Sequence, residues 1–134
     1  MMNLNNQTVL IIGGATGMGF ATAKMAEKLG GKFIVAGHNE EKNAKALSDE
    51  AESRLVDVVQ PNSIAELFLS LNDLHHVFIT AAPGGTGDSS EASLDITKTY
   101  IYGKFWILFM ISKSAENSID SKQREQALVQ IPNI

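Results

Sequence analysis

Apolar residues along this 134-residue chain fall into short unbroken runs, and longer stretches of mixed character separate them. Val9-Leu-Ile-Ile12 has no polar alternation, which predicts a strand buried on both faces, as in a parallel sheet covered by helices. It drops into Gly13-Gly14-Ala15-Thr16-Gly17-Met18-Gly19. Met18, Ala21, Met25 and Leu29 then recur at helical spacing, predicting a helix with those residues inward that Gly30-Gly31 closes. Residues 32–37 predict a second buried strand, and residues 40–52 a mostly polar cover helix with Ala44 and Leu47 inward. A third strand is expected at 54–58. Pro61 and Ser63-Ile-Ala-Glu66 read as a capping box opening a helix whose apolar face is Ile64, Leu67, Phe68 and Leu71. A fourth strand is expected at 77–82 and a glycine-rich loop at 83–90. Residues 91–115 predict a long helix whose run from Phe105 to Ile111 has no polar face and demands cover all round. Residues 116–134 hold no convincing buried strand and read as a loose helix or disordered tail.

Strands alternating with helices give an α/β fold with a parallel sheet. The length fits one domain, expected over residues 1–115, and is short for a complete doubly wound enzyme. The net charge of -4 supplies no basic footprint for nucleic acid and no polybasic membrane patch. The absence of cysteine removes thiolate chemistry, disulfides and cysteine-ligated metals. Adjacent His75 and His76 point to opposite strand faces and are read as structural, so no metal is expected. The start lacks a basic leader and a cleavable apolar region, so a cytoplasmic protein without membrane association is expected.

The turn after the first strand carries the candidate chemistry. Gly13 lets the chain bend where a Cβ would clash, Gly17 lets backbone N–H groups approach a ligand, and Gly19 lets the next helix pack closely. The N–H groups at that helix start favour an anion such as a diphosphate. G-x-G-x-x-G fails, because Thr22 stands where its last glycine would be; Gly13-x-x-x-Gly17-x-Gly19 fits instead. That pattern resembles the short-chain dehydrogenase/reductase family, whose loop reads T-G-x-x-x-G-x-G, with Ile12 here in place of the threonine.

The resemblance implies an incomplete Rossmann-like unit, a doubly wound sheet of about four strands in the order 3-2-1-4, and a dinucleotide cofactor, NAD or NADP, held by Gly13, Gly14, Ala15, Thr16, Gly17, Met18 and Gly19. It also places Asp57 and Val58 at the adenine. Ala81 and Ala82 would line the cofactor where the family writes N-N-A-G; this chain has Ile79-Thr80-Ala81-Ala82, which carries no asparagine to bond there. After the second strand stand Gly37, His38 and Asn39, with no carboxylate to accept a ribose 2′-hydroxyl, so NADP is slightly favoured over NAD. Equally, His38 and Asn39 could only start the next helix, with Glu40 and Glu41 in its first turn.

Family members work with a serine, an asparagine and Tyr-x-x-x-Lys. Tyr100-Ile-Tyr-Gly-Lys104 has that spacing, yet it lies one strand too early and Gly87 stands where the serine would be. No catalytic residue is therefore assigned. The expectation is an oxidoreductase by descent, truncated or frame-shifted, whose fourth strand is an open apolar edge. The family's equivalent of the 91–115 helix packs against its copy, which implies a homo-oligomer; the other reading is a core helix within one chain. A non-enzymatic nucleotide-binding or dimerisation module that pairs with a complete relative is the second functional reading.

Overall fold

The computed structural model describes residues 2–46, 51–81, 93–118 and 129–130. Its elements are β1 (Thr8–Ile12), α1 (Gly17–Lys28), β2 (Lys32–Gly37), α2 (Glu40–Lys45), β3 (Glu52–Leu55), α3 (Pro61–Leu69), β4 (His76–Ile79), α4 (Leu94–Ser118) and β5 (Val129–Gln130). The sheet runs β3-β2-β1-β4-β5 with every pair parallel. The expected order 3-2-1-4 is present. β1 is central, with Thr8 to Ile12 in register with Lys32 to Ala36 on one side and Val9 to Ile12 with His76 to Ile79 on the other. β4 is not the open edge expected from sequence, because Val77 and Phe78 pair with Val129 and Gln130 of β5.

All of β1 is buried because its alternate residues serve two cores. Leu10 and Ile12, with Ile34, Ala36, Val77 and Ile79, meet Ile64, Leu67 and Phe68 of α3 and Ile107, Ile111 and Ala115 of α4. Val9 and Ile11, with Phe33 and Val35, meet Ala23 and Ala26 of α1. Each large aliphatic side chain so enclosed contributes roughly 1.5–3 kcal/mol.

Several elements differ from their sequence reading. α1 turns Gly19, Ala23 and Ala26 inward and leaves Met18 and Met25 exposed. Small residues let that helix lie close to the sheet, and close packing outweighs the larger apolar surface of methionine. α2 ends at Lys45 rather than 52; Asn43 and Ala46 are buried while Ala44 is exposed, and Leu47 lies outside the described residues. Glu52 instead begins β3, two residues earlier than expected. The capping box does not form: Gln60 is the α3 N-cap with Pro61 at the first helical position, and the Ser63 hydroxyl accepts the Asp57 N–H at 2.9 Å. α4 runs three residues further than expected, and it is buried on one face only. Ile101, Tyr102, Phe105, Trp106 and Phe109 stay exposed. Among the described residues no helix is long and apolar enough to cross a membrane.

Candidate functional site

The turn from β1 into α1 is shaped by three glycines under different constraints. Gly13 is left-handed (φ +90°), and a Cβ there would stand 2.5 Å from Thr80 Oγ1 and 2.7 Å from the Ala81 nitrogen. Its N–H donates to the Ala36 carbonyl at 2.7 Å, and its carbonyl accepts the Thr80 hydroxyl at 3.0 Å. Gly19 lies against this carbonyl so closely that a Cβ would collide with it. Its job is to let α1 close on the turn. Gly17, also left-handed (φ +56°), has nothing within 4 Å of where a Cβ would be. Among the described residues the space beside Gly17 is open.

Thr16 caps α1 in an extended conformation (φ -145°, ψ 164°) without a side-chain hydrogen bond, and no acidic residue stands in the first turn. Among the described residues, then, no side chain caps the leading N–H groups and no acid of the first turn offsets the positive dipole end. They open on a cleft of about 370 Å³ at the carboxyl ends of β1, β2 and β4, within the roughly 300–1,000 Å³ of small-ligand sites. Here the chain passes from β1 leftward to β2 and β3, then returns to β4 on the other side. Such a switch point is where ligands of open α/β sheets bind.

Of the expected site residues, Gly13, Thr16, Gly17, Met18, His38, Val58 and Ala81 line this cleft. Gly14, Ala15 and Gly19 do not. Gly14 backs onto Ile11, Ala15 packs on the α1 side of the core, and Gly19 presses on Gly13. Asn39 caps α2, its Oδ1 accepting the Lys42 N–H at 2.9 Å, which is the helix-start role sequence left open for it. Asp57 is exposed and outside the lining; its Oδ1 accepts the Val59 N–H at 3.1 Å. Ala82 lies outside the described residues.

Gly37, Val56 and Thr80 complete the lining and were missed. The Thr80 hydroxyl bonds to the glycine turn, so the fourth-strand motif, which has no asparagine, carries a polar member there. The signal was its place in that motif. Tyr100 and Lys104 sit on α4 and neither lines the cleft.

At the amino edge of the sheet a larger cavity of about 560 Å³ lies among Thr8, Lys32, Arg54 and His75. At this end His75, which lines the cavity, and His76 tie the start of β1 to that of β4. His75 Nδ1 accepts the Thr8 N–H at 3.2 Å, and His76 Nε2 meets Gln7 Oε1 at 2.6 Å. Burial, and then the neighbouring His75, hold the His76 imidazole below the ordinary histidine value. This edge has neither the glycine turn nor a helix start, so the smaller cleft is the better ligand site.

Comparison with known proteins bears on the same region. Residues 9–118 match the NAD dependent epimerase/dehydratase family. An uncharacterized oxidoreductase, YxnA, of Bacillus subtilis (strain 168) is 27% identical over 117 residues, covering 79% of this chain and 33% of the relative. The short-chain dehydrogenase/reductase ascJ of Acremonium egyptiacum is 30% identical over 99 residues, 71% of this chain and 33% of that protein. A short-chain type dehydrogenase/reductase from Mycobacterium ulcerans superposes with a TM-score of 0.76 at 17% identity, covering 87% of this chain and 48% of that one. The chain spans about a third of the length of the curated relatives it matches.

Proposed function

We propose, from the premise that the chain belongs to the NAD dependent epimerase/dehydratase family and has the fold of the N-terminal half of short-chain dehydrogenase/reductases, that it binds a nicotinamide dinucleotide in the glycine-turn cleft. The observation that carries this is the start of α1 at Thr16-Gly17-Met18, which lines the cleft and which no side chain caps among the described residues. The residues fit the group. A diphosphate is an anion that the α1 N–H groups can receive, and Gly17 leaves the space for it. His38 and Val58 would border the adenosine, and Thr80 with Ala81 the nicotinamide side. NADP is slightly favoured over NAD, because no carboxylate stands at Gly37, His38 or Asn39.

When bound, the nicotinamide carries or accepts a hydride, the chemistry by which the family interconverts carbonyls and alcohols. This chain's own residues hold and orient the cofactor. Tyr100 and Lys104 lie off the cleft, so no acid–base role is given to them. Titration of NADPH fluorescence tests the reading: saturable enhancement is expected, and no binding at ~1 mM cofactor would remove it.

A second reading is favoured by a different observation, the apolar outer face of α4. Ile101, Phe105 and Phe109 are exposed there beside Trp106, whose ring lies 5.4 Å from that of Phe109 and 5.6 Å from that of Tyr102. Such a face on a 25-residue helix suits pairing with a second copy, or with a complete relative.

A further inference from the structure

The Gly37–His38 peptide forms one lip of the cleft, and its orientation is imposed from behind. Asn43 of α2 is 2% exposed, although asparagine is mostly a surface residue. Its Nδ2 donates to the Gly37 carbonyl at 3.0 Å and to the Arg54 carbonyl at 3.1 Å. Two carbonyl partners use both amide hydrogens and settle which end of the carboxamide is nitrogen. The Gly37 oxygen takes a second bond from the Val56 N–H at 3.0 Å, so it is held firmly toward β3. A Cβ at Gly37 would approach Asn43 Oδ1 to 2.8 Å, so glycine at this position is what lets the carboxamide reach.

A trans peptide sets each N–H antiparallel to the preceding carbonyl, and there is no cis bond among the described residues. The His38 N–H therefore turns to the β1 side, where the glycine turn stands. No described residue accepts it. A backbone donor is left facing the cleft at the end of β2, where the ribose of a bound dinucleotide lies in such folds.

We propose that Asn43 is a positioning residue for the ribose end of the cleft: by holding the Gly37 carbonyl it aims the His38 N–H at the 2′ substituent and favours a 2′-phosphate over a 2′-hydroxyl. This rests on the dinucleotide reading above. A phosphate dianion gains more from a fixed N–H than a hydroxyl does, because the bond is charge-assisted. Without Asn43 the Gly37 carbonyl loses one of its two anchors, and a residue without a Cβ is free to turn.

Asn43→Leu keeps the volume and removes the donor. NADPH and NADH are titrated by fluorescence on the same samples of wild type and variant. NADPH binding is expected to weaken ~10-fold and NADH binding less than ~3-fold. A merely structural loss lowers the folded fraction and scales both alike, so the ratio of the two affinities decides. An unchanged ratio in a variant whose wild type binds both cofactors overturns the role of Asn43 and leaves the dinucleotide reading standing. Wild type that binds neither removes both.

Should the variant not fold, wild type is titrated with adenosine 2′,5′-bisphosphate and followed by amide NMR. The His38 N–H is then expected to shift strongly, with slow exchange at the Asn43 carboxamide; a His38 signal that stays in place overturns the proposal.

Discussion

At Gly17 a Cβ would meet open space and only the left-handed backbone (φ +56°) resists it, whereas at Gly19 a Cβ would strike the Gly13 carbonyl. Gly17→Ala is therefore expected to cost about 1 kcal/mol of stability, while its methyl intrudes on the anion cradle and weakens NADPH ~10-fold or more. Gly19→Ala must push α1 off the turn, costs several kcal/mol, and should lower the melting temperature far more than Gly17→Ala. Thermal melts beside NADPH titrations check both; equal melting of the two variants would contradict the distinction. His76 gives a pH dependence. Its folded value is depressed below the unfolded 6.5 by burial and then by His75, so the unfolded chain binds the proton more readily. Stability is full above about pH 6.5 and is lost as pH falls through the folded value. Melts from pH 7.5 to 5 should decline less steeply in His76→Gln than in wild type, and parallel declines would contradict this.

Among the elements, α4 makes the sharpest demand. Its inner face, Ile107, Ile111 and Ala115, is buried, while Phe105 is 65% and Phe109 50% exposed. Wild type is expected to sediment as a dimer, and Phe105→Glu as a monomer with little change in melting, since the substituted side chain lies outside the core. A monomeric wild type at high concentration would contradict the paired reading. The elements also mark what periodicity can reveal. β1 was legible because Val9 to Ile12 serve two cores and so carry no polar residue at all. The inner face of α1 was not, since Gly19, Ala23 and Ala26 weigh little in a hydrophobic pattern beside Met18 and Met25. β5 could not be anticipated from two residues, Val129 and Gln130, whose place depends on pairing with β4.

For the molecule as a whole, strand order gives the sheet two unlike edges. The carboxyl ends of β1, β2 and β4 frame the glycine-turn cleft, and the amino ends are tied together through Gln7, Thr8, His75 and His76. Seven residues expected at the cofactor line the cleft, and of these Gly13, Thr16, Gly17 and Met18 belong to the turn that the glycine spacing marked. Asn43 was beyond sequence, because its bonds to Gly37 and Arg54 join segments the fold alone brings together, whereas Thr80, bonded to Gly13, was marked only by its place in the fourth-strand motif. Asp57, expected at the adenine, stands outside the lining, and its carboxylate is engaged locally by the Val59 N–H. Amide NMR during NADPH titration tests the central claim most directly. The account predicts shifts at Gly13, Gly17, Met18 and His38. Shifts confined to Thr8, Lys32, Arg54 and His75 at the opposite edge, or none at saturating cofactor, would contradict it.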